Sequence, residues 1–357
     1  MSGPRVAILG SGANGASIGA DLTRAGVDIL LVEQWPQHVE AMRRDGVRVE
    51  MPNETQVTPV RAINVCEVAT LREQFDVVLV LMKAYDTRWA CQLIEPYVKS
   101  GGVVAGVQNG MTADVIVDVM GADRSVGAVI EISSTMYVPG VIERHSPPDR
   151  SWFAVGAPDP AASDRVGEIA ELLTHSGTCQ IVDDIRAAKW MKLVSNCTTL
   201  VTTAIVGMPM VEAVGIPEMR DLMIRAGQEA FDAGRLQGLP ALPIFGLRAS
   251  DLEDAERVVE LLLDTLLDGF VLPHTTTTVL QDWNKGRHSE VDDINGRVVD
   301  VLHSRGQSAP VNAAVVDLAH RIERGEIAAG PHNLAELLAR SLEEVEPTSR
   351  FAVRATA

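Results

Sequence analysis

The chain has 357 residues and a formal net charge of −17, with 46% apolar and 22% charged residues. That length accommodates two domains with ample core, and the acidic balance argues against a nucleic-acid or anionic-membrane surface, which needs a basic footprint. No apolar run approaches the roughly 18 residues of a bilayer span, and "MSGPRVAILG" shows no basic-then-apolar leader. Cys66, Cys91, Cys179 and Cys197 form no C-x-x-C, so a cytoplasmic chain without zinc or disulfides is expected.

In chain order, "RVAILG", "VDILLVE", "FDVVLVLM", "GGVVAGV" and "SVGAVI" are aliphatic runs. Runs apolar on both faces predict strands of a covered, mostly parallel sheet. A helix from about Gly15 to Ala25, closed by Gly26, separates the first two. "VRVEM" and "TQVTPV" alternate around Pro52–Asn53 and predict a hairpin attached to that sheet. The pattern is that of a doubly wound α/β domain.

Past Asp183 no strand is expected. A core helix is predicted from about Ile185 to Val206. "IPEMRDLMIRAGQEAF" puts Met219, Leu222, Met223, Ala226 and Ala230 on one face. Ser250 and Glu253 read as a capping box before "ERVVELLLDTLLDGF". "SEVDDINGRVVDVLHSRG" aligns Val291, Ile294, Val298, Val301 and Leu302 and ends at Gly306; "VNAAVVDLAHRI" repeats the pattern. The expected domains are therefore 1–183, α/β and doubly wound; 184–346, all-α; and a loose tail, 347–357.

Gly10, Gly12 and Gly15 make G-x-G-x-x-G in the context the motif requires, a strand running into a helix. Gly10 permits the turn, and Gly12 lets backbone approach a pyrophosphate. Gly15 allows close helix packing, and the helix N-terminus, at Ala13 and Asn14, offers N–H groups. The bland alternative is a glycine-rich turn with no cofactor. "GASIG" also fits a G-x-S-x-G elbow, but that motif needs its strand to enter it directly, and this strand ends several residues earlier. Glu33 closes the second strand, where a carboxylate can accept from ribose hydroxyls. A 2′-phosphate there would meet a like charge, which favours NAD over NADP. A solvent-exposed strand-end acid is the alternative.

"KWMKLVSNCTTL" stacks Lys192, Asn196 and Leu200 on one helical face. Either the polar pair faces a cleft or Lys192 points to solvent at the helix start. Ser289 could cap a helix with Glu290 in its first turn. One threonine of "PHTTTTVLQDW" could cap a helix or face a ligand. Asn109 follows a strand end, where open α/β sheets place ligands, or is simply an Asn-Gly turn residue. The eight histidines show no metal-binding spacing.

Together, "ILGSGANG", "LMKAYDT", "VQNGM", "KWMKLVSNC" and "TVLQDWNKGRHSEVDDING" resemble the ketopantoate reductase family, in family order, over roughly Val6 to Glu326. The resemblance implies an N-terminal Rossmann domain, a C-terminal helical domain and an active site between them. It implies NADPH-dependent reduction of ketopantoate, or turnover of another 2-oxo acid by a relative. Carried over by position, Lys192 is the catalytic lysine and Glu290 the acid that works with it. Asn196 and Thr278 contact substrate, and Asn109 contacts cofactor and substrate. Lys83 lies near the adenosine end, where it helps bind a 2′-phosphate.

Three departures stand out. Leu200 replaces a second asparagine, with Val201 where proline is usual. Glu33–Gln34 replaces the small residue and arginine that favour NADP, so NAD is preferred and NADP, through Lys83, stays open. An extra stretch occupies Leu247 to Gly269. The expected function is hydride transfer between a nicotinamide cofactor and a 2-oxo or 2-hydroxy acid other than ketopantoate, on a small-molecule substrate, with a homodimer as an open alternative. The competing readings are a 2-dehydropantoate 2-reductase of coenzyme A biosynthesis and an NAD-binding sensor or scaffold without turnover.

Overall fold

The computed structural model describes residues 3–343; the expected loose tail, 347–357, lies outside them. The chain divides into two compact units, Met1–Lys189 and Trp190–Ala357, a few residues past the expected boundary at 183. The division falls inside one helix, Ile185–Ile205.

The first unit contains β1 (Arg5–Leu9), β2 (Asp28–Glu33), β3 (Val47–Glu50), β4 (Thr55–Thr58), β5 (Arg61–Asn64), β6 (Phe75–Val80), β7 (Val98–Val107), β8 (Ser125–Glu131), β9 (Ser134–Thr135), β10 (Val141–Arg144), β11 (Trp152–Gly156) and β12 (Thr178–Ile181). Eight of them form one sheet in the order β12-β11-β8-β7-β6-β1-β2-β5. Every neighbouring pair is parallel except β8 and β11. The aliphatic runs divide by strand alternation. Val6, Ile8, Ile29, Leu31, Val77 and Leu79 enter one core. Ala7, Leu9, Leu30, Val32, Val78 and Val80 enter the other. Both faces are covered, so the strands can be apolar throughout.

Two expectations change here. The first helix runs Ala13–Arg24, starting two residues before Gly15. The β3–β4 hairpin forms around Pro52–Asn53, as expected, but it does not join the main sheet. It belongs to a second sheet, β4-β3-β10-β9, because β3 pairs in parallel with β10. Alternation predicts a half-buried strand but not its partner, and this partner is far downstream.

Arg144 ends β10 and is 1% exposed. Its five N–H donors are all used. Nε donates to the Ser146 carbonyl at 2.8 Å. Nη1 donates to Ser17 Oγ at 3.0 Å and Asp21 Oδ2 at 2.6 Å. Nη2 donates to Ser151 Oγ at 3.0 Å and the Ser176 carbonyl at 2.6 Å. Ser17 is thus a buried acceptor inside the first helix, which disposes of the serine-elbow alternative.

In the second unit, no strand occurs among the described residues. The helix Ile185–Ile205 carries four threonines whose hydroxyls bond back to the carbonyl four residues earlier. Thr198 bonds to Val194, Thr199 to Ser195, Thr202 to Thr198 and Thr203 to Thr199. This satisfies each hydroxyl inside the core. The helix Pro217–Leu236 approaches closely at two glycines. A Cβ at Gly227 would lie 2.3 Å from Thr198 Oγ1, and one at Gly234 would lie 2.3 Å from Trp190 Nε1. Met219, Leu222, Met223, Ala226 and Ala230 are fully buried, as their spacing predicts. The capping box at Ser250 and Glu253 does not form. Instead Arg248 N donates to Asp251 Oδ2 at 2.8 Å, and the next helix begins only at Val258 and runs to Phe270.

Candidate active site

β1 lies between β2 and β6, so the winding direction reverses at its carboxyl end. Open α/β sheets bind ligands in the crevice at such a point. Gly10 follows β1, Glu33 closes β2, Lys83 follows β6 and Asn109 follows β7. Gly10 has φ of 90°, and a Cβ there would lie 2.7 Å from Met82 N. A Cβ at Gly15 would lie 2.1 Å from the Gly10 carbonyl oxygen, so only glycine lets this helix start so near the strand end. Gly12 differs. A Cβ there meets nothing within 4 Å, and Gly12 is an N-cap without a side-chain hydrogen bond. Open space beside a helix N-terminus whose first-turn N–H groups have no intrahelical acceptor fits a dinucleotide's pyrophosphate. Ala13, Asn14 and Gly15 supply those groups. The Asn14 side chain is engaged elsewhere, its Oδ1 accepting from Ser134 Oγ at 2.6 Å.

Glu33 is 6% exposed, not the exposed strand-end acid of the bland reading. Its Oε1 accepts from Gln34 N at 2.9 Å and Trp35 N at 3.0 Å, which fixes the carboxylate at the strand end. Lys83 is half-buried and caps the short turn Ala84–Asp86. Asn109 is half-buried and starts a turn continued by Gly110, with φ of 70°. Two neighbours brace that turn. Gln108 Nε2 donates to the Met82 carbonyl at 2.7 Å and Thr87 Oγ1 at 3.0 Å. Lys189 Nζ donates to the Gln108 carbonyl at 2.8 Å and the Ala128 carbonyl at 3.1 Å. Lys189, the first lysine of "KWMK", had no role in the sequence reading; it is a buried strut.

His38 was also missed. Its Nδ1 accepts from Gly140 N at 2.8 Å, so its Nε2–H donates to the Ser11 carbonyl at 2.9 Å. Burial pushes its pKa down to about 4, against the opposing pull of the Ser11 carbonyl. A neutral imidazole thus holds the glycine loop. A histidine one turn after Trp35 gives no local hint of this, because both partners are distant in sequence.

In the second unit, Lys192 is 8% and Asn196 1% exposed, so Lys192 does not point to solvent. Its Nζ lies 5.1 Å from the centroid of the Phe245 ring. Leu200, half-buried on the same face, offers its carbonyl to Thr277 Oγ1 at 2.9 Å. Thr277 also accepts from Leu280 N at 3.4 Å and is the cap; Thr278 is the first residue of the helix Thr278–Asn284 and is half-buried.

Glu290 is 4% exposed. The helix predicted to start at Ser289 opens instead as a π turn, Asp292–Gly296, with Gly296 N donating to the Val291 carbonyl at 2.9 Å. Such turns are frequent at functional sites. Ser289 does not cap it. Ser289 N and Oγ both donate to Glu323 Oε1, at 2.9 and 2.7 Å. The π turn is tied to the lysine-bearing helix through Asn295 Nδ2, which donates to the Cys197 carbonyl at 3.4 Å and Asn312 Oδ1 at 2.8 Å. Asp293 lies one turn from Glu290, and burial, then the charges of Glu290 and Asp292, push its carboxyl up to about 6. The segments carrying Thr278 and Glu290 therefore both anchor on the helix of Lys192 and Asn196, at the carbonyls of Leu200 and Cys197.

Among the described residues, no group of three His, Cys, Asp or Glu is placed to hold a metal ion, and no helix is long and apolar enough to cross a membrane. The family model for ketopantoate reductase PanE/ApbA matches residues 6–158, and its C-terminal counterpart matches residues 184–323. A 2-dehydropantoate 2-reductase of Archaeoglobus fulgidus is 25% identical over 327 residues, covering 90% of this chain and 98% of its own length. The crystal structure of a PanE/ApbA family ketopantoate reductase from Ralstonia eutropha JMP134 is 25% identical, with a TM-score of 0.75 over 90% of this chain and 99% of its own. A ternary structure of D-mandelate dehydrogenase with NADH and anilino(oxo)acetate has a TM-score of 0.79 at 18% identity, with the same coverage of both chains, and is a likeness of fold. Both halves of the chain match in family order, and the chain belongs to the ketopantoate reductase family of NAD(P)-dependent oxidoreductases.

Proposed function

We propose that the chain interconverts a 2-oxo acid and the corresponding 2-hydroxy acid, prefers NAD, and acts on a substrate other than ketopantoate. The observation that carries this reading is the buried Lys192 beside buried Asn196 on one face of a core helix. Helix stability needs neither an ammonium group nor an amide on a buried face, so the pair calls for a role beyond folding.

The first unit would hold the dinucleotide, with pyrophosphate at Ala13–Gly15 and adenosine ribose at Glu33. When bound, it would supply the hydride for reduction of the substrate carbonyl carbon. As the carbon–oxygen π pair moves onto oxygen, Lys192 Nζ gives that oxygen a proton, and the neutral amine regains one from water. The reverse direction runs the same proton through the amine. A well-placed acid or base contributes about 10²–10⁴ in rate. Glu290 orients the lysine and the reacting hydroxyl, Asn196 and Thr278 hold polar groups of the substrate, and Asn109 positions the nicotinamide.

Glu33 supports NAD, because its fixed carboxylate would repel a 2′-phosphate; Lys83 is the opposing feature. Leu200 argues against ketopantoate, since a site that has lost an amide selects poorly for a substrate hydroxyl. The name of the Archaeoglobus relative favours the second reading, a 2-dehydropantoate 2-reductase. A panel of 2-oxo and 2-hydroxy acids assayed with both cofactors tests the proposal. NADH with a non-hydroxylated acid should give the highest kcat/KM; NADPH with ketopantoate as best pair would establish the second reading. Cofactor binding without turnover on any acid would establish the sensor or scaffold.

A further inference from the structure

Phe245 sits in a position that its backbone does not favour. Leu247 N donates to the Ile244 carbonyl at 3.1 Å, closing a turn whose central residues are Phe245, with φ of 60°, and Gly246, with φ of 82°. Two successive left-handed residues define a type I′ turn, which strongly prefers Asn-Gly or Gly-Gly. A phenylalanine in its first position is strained. Among the described residues it is the one non-glycine with positive φ. The ring is nonetheless buried, at 6% exposure. It lies 5.1 Å from Lys192 Nζ, and Phe270 braces it, centroids 5.4 Å apart and planes tilted by 50°. The turn tolerates the wrong residue in order to place an aromatic face on the lysine.

We propose that Phe245 is a specificity-determining residue, and that the favoured substrates are 2-oxo acids with an apolar, branched or aryl, side chain. The inference rests on Lys192 being the proton donor. A carbonyl oxygen within hydrogen-bond reach of Nζ brings its substituent beside the Phe245 ring. An aryl or branched aliphatic group gains contact area there, and ring pairs prefer the tilted packing already present between Phe245 and Phe270. A hydroxyl at the same place gives up water without gaining a partner from the ring. Leu200, on the face shared with Lys192, removes the amide that would offset this.

The test is kcat/KM for phenylglyoxylate, 2-oxoisovalerate and ketopantoate, with NADH and NADPH, in the wild type, Phe245→Leu and Phe245→Asn. Asparagine is what the turn itself accepts best, and leucine keeps the apolar bulk, so the pair separates folding from selection. The wild type should favour phenylglyoxylate or 2-oxoisovalerate over ketopantoate by about tenfold or more, and Phe245→Asn should reduce that ratio by about tenfold or more. Phe245→Leu should keep most of the preference for 2-oxoisovalerate and lose part of that for phenylglyoxylate. If the variants slow all three acids by one common factor, the inference is overturned while Lys192-dependent turnover keeps the parent reading intact; a wild type that favours ketopantoate overturns the inference together with the parent reading's choice of substrate. No wild-type turnover of any acid with either cofactor overturns both.

Discussion

Acid should loosen the glycine loop through a single imidazole. In the folded chain His38 is held neutral between Gly140 N and the Ser11 carbonyl, with its pKa lowered from 6.5 to about 4. An unfolded chain takes up the proton near pH 6.5, whereas the folded chain resists until about pH 4. The stability from this site is therefore complete above about pH 6.5 and is lost as pH falls through the window down to about 4. A drop of about 2.5 units, at about 1.4 kcal/mol per unit, makes the full loss about 3 kcal/mol. Urea unfolding of wild type and His38→Gln across that window isolates the contribution, because carboxylates that titrate in acid do so in both proteins. Trp35, whose ring centroid lies 6.0 Å from that of His38, is a local fluorescence reporter. The stability difference between the two proteins should shrink by about 3 kcal/mol between pH 6.5 and 4, and NADH affinity should fall over the same range. A difference independent of pH would show that the buried imidazole is not the cause.

Asp21→Ala leaves Arg144 buried with an uncompensated charge, and should destabilise by about 3–5 kcal/mol, read as a lowered urea midpoint. Gly12→Ala and Gly15→Ala should part company. The first puts a methyl into open space, so thermal stability should hold while the NADH dissociation constant rises. The second meets the Gly10 carbonyl at 2.1 Å and should lower the melting temperature outright. Glu33→Ser combined with Gln34→Arg should move the NADPH-to-NADH ratio of kcat/KM toward NADPH by about tenfold or more, since it removes a like charge and adds a bidentate phosphate partner.

The parts of the fold legible in the sequence were those written in local periodicity. Unbroken aliphatic runs marked β1, β2, β6, β7 and β8, and Gly10, Gly12 and Gly15 stood where strand and helix chemistry demanded them. The second sheet was not legible, because the pairing of Val49 with Ile142 has no local signature. The helix caps failed for a similar reason. Ser289 had a local role available, but the carboxylate of Glu323 outcompeted it. At the candidate site, helical spacing put Lys192 and Asn196 on one face, but periodicity could not decide whether that face was wet. Phe245 was invisible because Phe-Gly in a loop is unremarkable until the turn geometry is known. The roles of Lys192, Asn196, Thr278 and Glu290 came from the family resemblance, because spacing alone assigns no chemistry to a side chain.

The central claim is that Lys192 moves the proton. With the best acid from the substrate panel, kcat of Lys192→Met should fall by about 10²–10⁴ relative to wild type, while NADH binding, proposed to rest on the first unit, should stay within about twofold. A kcat within about threefold of wild type on that same acid would contradict the account and remove Lys192 from the chemistry.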